Sequence, residues 1–237
     1  MGLGAVLVTG IFVTRYHGPE LFGQLNYAGA FVGIFYALTS LGLADILIRD
    51  LVRTPDRRDT LMGTVARVKL AGAIMLFVVV TTLAFIKRMD TTTLIMVMLI
   101  ASAEFLKPLG IVDNFFQAQV RGRTSALVNM VTIVIASLFR LGLILVHAPL
   151  VWFAWAYIVE TAVGVTGFLI AYRSDGSTWR SWRYSKETAL YLLGQSWPLV
   201  IYGLALFVQA KIDQVMIGDI LRKTAGEKAS MAEVGQY

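Results

Sequence analysis

Asp45 and Arg49 lie four residues apart, and Glu104 and Lys107 lie three apart just ahead of Pro108. On a helix each couple shares a face, where a carboxylate and a cation can pair. Arg140 has no carboxylate near it in its own segment, and Glu160 stands in the next one, so these two are placed to meet across helices. Lys211 and Asp213, two residues apart, point to different helix faces. Arg15, Tyr16 and His17 precede the turn signal Gly18-Pro19. His17 alone reads as a solvated loop side chain. The others matter because they interrupt long apolar runs. An ionisable group near a bilayer centre costs at least roughly 2.5 kcal/mol, so each needs a partner, a water-filled cavity or a snorkelling route. Asp45 and Arg49, near the end of a run, fit either an interfacial ion pair with each other or a substrate pathway. Glu104 and Lys107 sit mid-run, and Pro108 frees backbone carbonyls that a membrane helix tolerates only against protein or a cavity, so an inward-facing polar site is expected there. For Arg140 and Glu160, a structural bridge and a cavity lining stay equally open.

Stepping outward to what must hold these groups, the chain has 237 residues, 57% hydrophobic and 15% charged, with a mean hydropathy of +0.70. Soluble domains carry roughly 25% charged residues, so a water-soluble enzyme is excluded and the bilayer is the expected solvent. Cysteine is absent, which removes disulfides, thiolate metal sites and cysteine nucleophiles, and two histidines leave little for a metal cluster. There is no phosphate-cradling Gly-x-x-x-x-Gly-Lys loop, no His-Glu-x-x-His and no Gly-x-Ser-x-Gly elbow. No catalytic residue, metal or cofactor is indicated, and ATP hydrolysis is not expected. The +6 net charge comes from cations lying between apolar runs, which argues for membrane orientation and against a nucleic-acid partner.

A crossing helix needs about 20 apolar residues. Six runs qualify: 24–48, 62–86, 91–112, 125–146, 150–172 and 189–218. A seventh, 2–14, is short and lacks the basic flank and cleavage site of a signal peptide, so it reads as a transmembrane helix cut short at its start. Arg67 and Lys69 shorten the clean apolar core of the third span to Leu70–Ile86. Cations alternate along the links. Arg49, Arg53, Arg57, Arg58, Arg67 and Lys69 fall in one, Arg121 and Arg123 in another, and Arg173, Arg180, Arg183 and Lys186 in a third. The remaining connections hold Arg15, Lys87, Arg88, Arg222, Lys223 and Lys228. The excess of positive charge turns these even-numbered, Arg-bearing links to the cytoplasm and starts the amino terminus inside. Trp152, Trp155, Trp179, Trp182 and Tyr184 flank the sixth span at headgroup depth, and the stretch Trp179–Lys186 fits a surface helix or a polar linker equally well.

The order of several short stretches resembles a known family. Arg15-Tyr16-His17-Gly18-Pro19-Glu20-Leu21-Phe22-Gly23-Gln24, then Leu41-Gly42-Leu43-Ala44-Asp45 running to Arg49-Asp50, are similar to the opening of bacterial polysaccharide flippases of the Wzx kind. Phe115-Phe116-Gln117-Ala118 with Arg121-Gly122-Arg123 resembles the link after that family's fourth helix. Ser196-Trp197-Pro198-Leu199 and Lys211-Ile212-Asp213 resemble its seventh helix, and Glu233-Val234-Gly235-Gln236 the start of its eighth.

The resemblance implies an all-α, polytopic membrane helix bundle of about seven transmembrane helices, the first lobe of a two-lobe transporter of the multidrug, oligosaccharidyl-lipid and polysaccharide (MOP) exporter superfamily. Residues 1–187 would form the amino-terminal lobe, and residues 188–237 the first helix of the second lobe and the loop to an eighth helix. It further implies transport of undecaprenyl-diphosphate-linked oligosaccharide, such as an O-antigen unit, across the bacterial inner membrane by alternating access. The partners would be the lipid-linked substrate, membrane lipids, the carboxy-terminal lobe and other polysaccharide assembly proteins. A diphosphate among apolar helices calls for cations. The resemblance supplies Arg15, Arg49 and Lys211, and the span argument adds Lys107 and Arg140. Asp45, Glu104, Glu160 and Asp213 are the candidate ion-coupling groups. The rival readings are an ion-coupled drug or cation exporter of the same superfamily, a membrane enzyme of polysaccharide assembly, which the short outer links disfavour, and a non-transporting partner or gene remnant.

Overall fold

The computed structural model describes residues 22–224, all of it helix, turn and irregular link. Because lipid cannot satisfy backbone polar groups, the apolar runs among the described residues resolve into helices that satisfy their own. In order these are α1 (Phe22–Ile34), α2 (Ala37–Ser40), α3 (Leu43–Arg53), α4 (Arg58–Ile86), α5 (Thr91–Ala103), α6 (Val112–Ala118), α7 (Gly122–Leu145), α8 (Leu150–Ser174) and α9 (Lys186–Thr224). Among the described residues, four helical stretches are long and apolar enough to cross a bilayer, and a bent pair brings the number to five. The expected span 189–218 lies inside α9, and the expected short first span lies outside the described residues.

Two expected continuous spans are broken. The second turns by 44° between α1 and the segment Ala37–Arg53, and it is interrupted again where Leu41 and Gly42 both adopt left-handed backbone. Gly42 is required on two counts. Its φ of +59° suits glycine, and a Cβ there would lie 2.4 Å from the Leu199 Cβ of α9. The fourth span runs from Thr91 to Ala118 as one stretch, but its α-helical pattern is interrupted between Ala103 and Val112 by tighter turns and a 3₁₀ segment, Lys107–Ile111, that contains Pro108. Its start is fixed by Asp90, whose side chain accepts from the Thr93 N–H at 3.0 Å.

Apolar packing among the described residues divides into two large cores stacked along the bundle, with a small cluster at Tyr27 and Ala30 beside the first. One gathers Leu25 and Phe31 of α1, Leu76 and Val80 of α4, Ile100 of α5 and Phe153 of α8. The other gathers Leu47 of α3, Met62 and Val65 of α4, Phe115 of α6, Phe168 and Tyr172 of α8 and Leu192 of α9. On the outside, α7 leaves Leu127, Met130, Val131, Val134 and Leu138 exposed, a patch suited to lipid and unsuited to water.

The three Arg-rich links gather at one end. Arg58 Nη1 donates to Ser177 Oγ at 3.3 Å, Arg121 pairs with Asp175, and the Arg183 N–H donates to the Asp59 carbonyl at 3.1 Å. The stretch from Trp179 forms no surface helix. After one 3₁₀ turn, Trp179–Ser181, it runs extended and is stitched to the bundle: Trp182 Nε1 donates to the buried Tyr172 hydroxyl at 3.2 Å, and the Ser185 N–H donates to Thr64 Oγ1 at 3.1 Å. Gly63 makes room for it, since a Cβ there would sit 2.3 Å from the Arg183 carbonyl oxygen.

Candidate functional site

Between the two apolar cores lies a polar layer, and it coincides with both breaks. On the first broken span Tyr36 and Thr39 fall between the two core contributions. On the other broken span Glu104 and Lys107 do, and on unbroken α4 Lys69 does. The breaks bring these groups together. Gly72 of α4 lets α2 approach so closely that a Cβ would lie 2.1 Å from the Leu38 carbonyl oxygen, which sets Thr39 beside the start of the α5–α6 interruption. Glu104, only 5% exposed, accepts from Thr39 Oγ1 at 3.0 Å through Oε2 and from Lys107 Nζ through Oε1. The Thr39 hydroxyl also lies 2.9 Å from the Tyr36 carbonyl, so its single proton serves one acceptor or the other. Lys107 Nζ stands 4.5 Å above the Tyr36 ring, a cation–π contact.

Lys69 completes the layer. Met62, Val65, Ala73, Leu76 and Val80 form the inward stripe of α4 at three- and four-residue spacing, all buried, and Lys69 occupies the position in that stripe between Val65 and Ala73. It is half-buried and interacts electrostatically with both Lys107 and Glu104. Among the described residues it has no hydrogen bond or ion pair. The layer therefore holds two cations against one carboxylate, one positive charge in excess at membrane depth.

Arg140 and Glu160 meet across α7 and α8, with Arg140 Nη2 donating to Glu160 Oε2 at 2.5 Å. Both side chains are largely buried, at 17% and 13% exposure. Here the helices are unbroken, and they approach through Gly167, where a Cβ would lie 2.9 Å from Val128 Cγ1.

Arg49 does not pair with Asp45, contrary to the helical-spacing expectation. Asp45 is exposed, while Arg49 Nε donates to Asp50 Oδ1 at 2.9 Å, and Arg49 Nη2 reaches α9, donating to Gln195 Oε1 at 2.5 Å and to the Tyr191 hydroxyl at 3.3 Å. Tyr191 and Gln195 are one turn apart on α9 and present two acceptors side by side, which draws Nη2 across to α9 while Nε stays on Asp50 of α3. Arg15 lies outside the described residues. Lys211 and Asp213 lie on the helical backbone of α9, with side chains outside the described part.

With this geometry in place, the comparison with known families is decisive, because the chain matches the polysaccharide biosynthesis protein family over residues 2–237. The chain belongs to that family. No curated protein and no solved structure matches it. The apolar helices and the family together describe a membrane protein of polysaccharide biosynthesis. Of the expected site residues in this polysaccharide biosynthesis protein, Glu104 and Lys107 come together in the central layer, Arg140 and Glu160 form a separate bridge, and Arg49 serves the contact between α3 and α9. Lys69 is the further member of the layer: by hydropathy it marks the edge of a span, whereas its phase in the buried stripe of α4, which a periodicity count reads, places it inside.

Proposed function

We propose that this chain moves an undecaprenyl-diphosphate-linked oligosaccharide across the bacterial inner membrane by alternating access, as the amino-terminal lobe of a flippase whose Arg-rich end faces the cytoplasm. The observation that carries this reading is the excess cation of the central layer, Lys69, beside the half-exposed Lys107 at the meeting of two broken spans. A diphosphate leaving water needs charge-assisted hydrogen bonds, and discontinuous helices are where transporters place such groups. Lys69 is uncommitted among the described residues, and Lys107 can turn from Glu104 to a phosphate while Thr39 goes on donating to the carboxylate. Arg49 and Arg140 already hold Asp50 and Glu160, so the diphosphate goes first to the two lysines, with Arg15 and Lys211 as further ligands on the resemblance. Glu104, stripped of Lys107 at that moment, is the leading ion-coupling group, ahead of Asp45, Glu160 and Asp213.

The test is surface polysaccharide in cells that depend on this gene. Lys69→Gln and Lys107→Gln are each expected to lower polymer at least about tenfold at normal protein levels, the loss of one charge-assisted hydrogen bond, while Lys69→Arg retains it. Unchanged polymer in Lys69→Gln overturns the reading.

A further inference from the structure

At the Arg-rich end a cleft of about 320 Å³ opens between α3, the following turn and α9, walled by Asp50, Arg53, Arg57, Glu187, Thr188 and Tyr191. It lies well away from the central layer, and neither the transport reading nor the resemblance assigns it a role. We infer that this cleft binds a glycosyl phosphate, the phosphate-and-first-sugar portion of the proposed cargo; the inference rests on the flippase reading for where that ligand comes from.

The wall groups divide into two chemistries. Arg49, Arg53 and Arg57 follow one another at four-residue steps, but only Arg49 is committed, to Asp50. Arg53 has no hydrogen bond or ion pair among the described residues, and Arg57 Nη2 donates only over 3.4 Å, to Thr188 Oγ1. Two planar guanidinium forks thus face the cleft with donors to spare, the geometry that suits phosphate oxygens. The opposite wall is different. Glu187 is an acceptor with no hydrogen bond or ion pair among the described residues. Thr188 is 5% exposed and offers a hydroxyl, and Tyr191 presents a ring whose oxygen is pinned by Arg49. A carboxylate and a hydroxyl suit sugar hydroxyls, and a ring face suits the C–H face of a sugar.

A bare anion would sit against Glu187 unfavourably, and a neutral sugar would leave both arginines unused. A glycosyl phosphate engages Arg53 and Arg57 on one wall and Glu187, Thr188 and Tyr191 on the other, while the Asp50 carboxylate stays neutralised by Arg49. The volume fits too, since ligand pockets span about 300–1,000 Å³ and this one is at the lower end, room for one phosphorylated sugar and not for an oligosaccharide. A second cleft at the same end, about 310 Å³ and lined by Arg173, Gly176, Ser177, Thr178, Trp179 and Arg180, has cations and hydroxyls but no carboxylate. It suits any anion, a lipid headgroup included, and so provides the control.

The experiment uses the full chain in nanodiscs of phosphatidylcholine alone, titrated by calorimetry with glucose 1-phosphate, inorganic phosphate and glucose. Glucose 1-phosphate is expected to bind at least about tenfold more tightly than either fragment, and Arg53→Gln with Arg57→Gln to weaken it at least tenfold. Glu187→Gln is expected to retain phosphate binding and shrink the preference for the sugar phosphate. Arg173→Gln with Arg180→Gln is expected to remove at most the binding that phosphate and glucose 1-phosphate share, and to leave the preference for glucose 1-phosphate intact. Equal binding of phosphate and glucose 1-phosphate, no binding of any probe, or loss confined to the Arg173 and Arg180 variant overturns the inference. The two readings fail separately. If Lys69→Gln stops polymer export while glucose 1-phosphate does not bind, the cleft falls and the flippase stands; if glucose 1-phosphate binds as expected while Lys69→Gln exports normally, the reverse holds.

Discussion

Two acid–base contacts cross the middle of this bundle, and they are built on opposite plans. Arg140 and Glu160 join two unbroken helices, one charge against one, with no second cation among their partners in the described residues. Glu104 joins three segments: it shares a broken span with Lys107, takes a hydrogen bond from Thr39 on another, and lies in the field of Lys69 on α4. The first is balanced and complete. The second carries a surplus charge and a threonine proton with two acceptors to choose from. A balanced pair holds helices together and has nothing left for a ligand, whereas a surplus cation beside broken backbone invites an anion. On the transport reading proposed above, that contrast separates the staple of the bundle from its candidate site.

The largest test of the contrast replaces charges in matched sets. Glu160→Leu should destabilise the purified protein by about 3–5 kcal/mol, because it leaves the largely buried Arg140 alone, and Glu104→Leu should destabilise it by less, because Lys107 is half-exposed. The double change Arg140→Leu with Glu160→Leu should return to within about 1 kcal/mol of the parent or exceed it, as balanced pairs do when both partners go. Glu104→Leu with Lys107→Leu should not recover, because Lys69 remains, and adding Lys69→Leu should restore the loss. Denaturant unfolding in detergent reads all of these, and recovery without the third change would erase the distinction. A smaller effect is expected of Thr39→Val, which removes one hydrogen bond to a carboxylate and should cost about 1.5–3 kcal/mol, where Thr161→Val on α8, whose hydroxyl bonds only its own helix, should cost less by the same measurement. Smallest is Tyr36→Leu, which takes the ring from beneath Lys107 and should cost about 0.5–1 kcal/mol.

Much of this was legible in the residues. Apolar runs located the spans within a few residues: 125–146 against Gly122–Leu145, and 150–172 against Leu150–Ser174. Three-residue spacing paired Glu104 with Lys107, and Pro108 marked the break beside them. What was not legible was non-local. The partner of Arg49 is decided by α9 arriving with Tyr191 and Gln195 in register, and no spacing within α3 encodes that. Leu41 in left-handed backbone carries no glycine-like signal of its own, so the second interruption of that span was hidden beside Gly42. Lys69 was misplaced for a subtler reason: hydropathy sums rate a lysine as an edge, whereas its phase in the stripe of α4 puts it inside.

The two glycine notches of α4 have a mechanical consequence. Gly63 accepts the Arg183 backbone and Gly72 the Leu38 carbonyl, and at 3.6 residues per turn these sites are about half a turn apart around the axis. The helix is therefore keyed like a shaft held between two jaws, unable to spin or slide without forcing main chain into main chain. In the rocking cycle proposed above, α4 with Lys69 and the keyed Leu38–Thr39 backbone would travel as one rigid part, and the α5–α6 interruption that carries Glu104 would be the part that shifts against them.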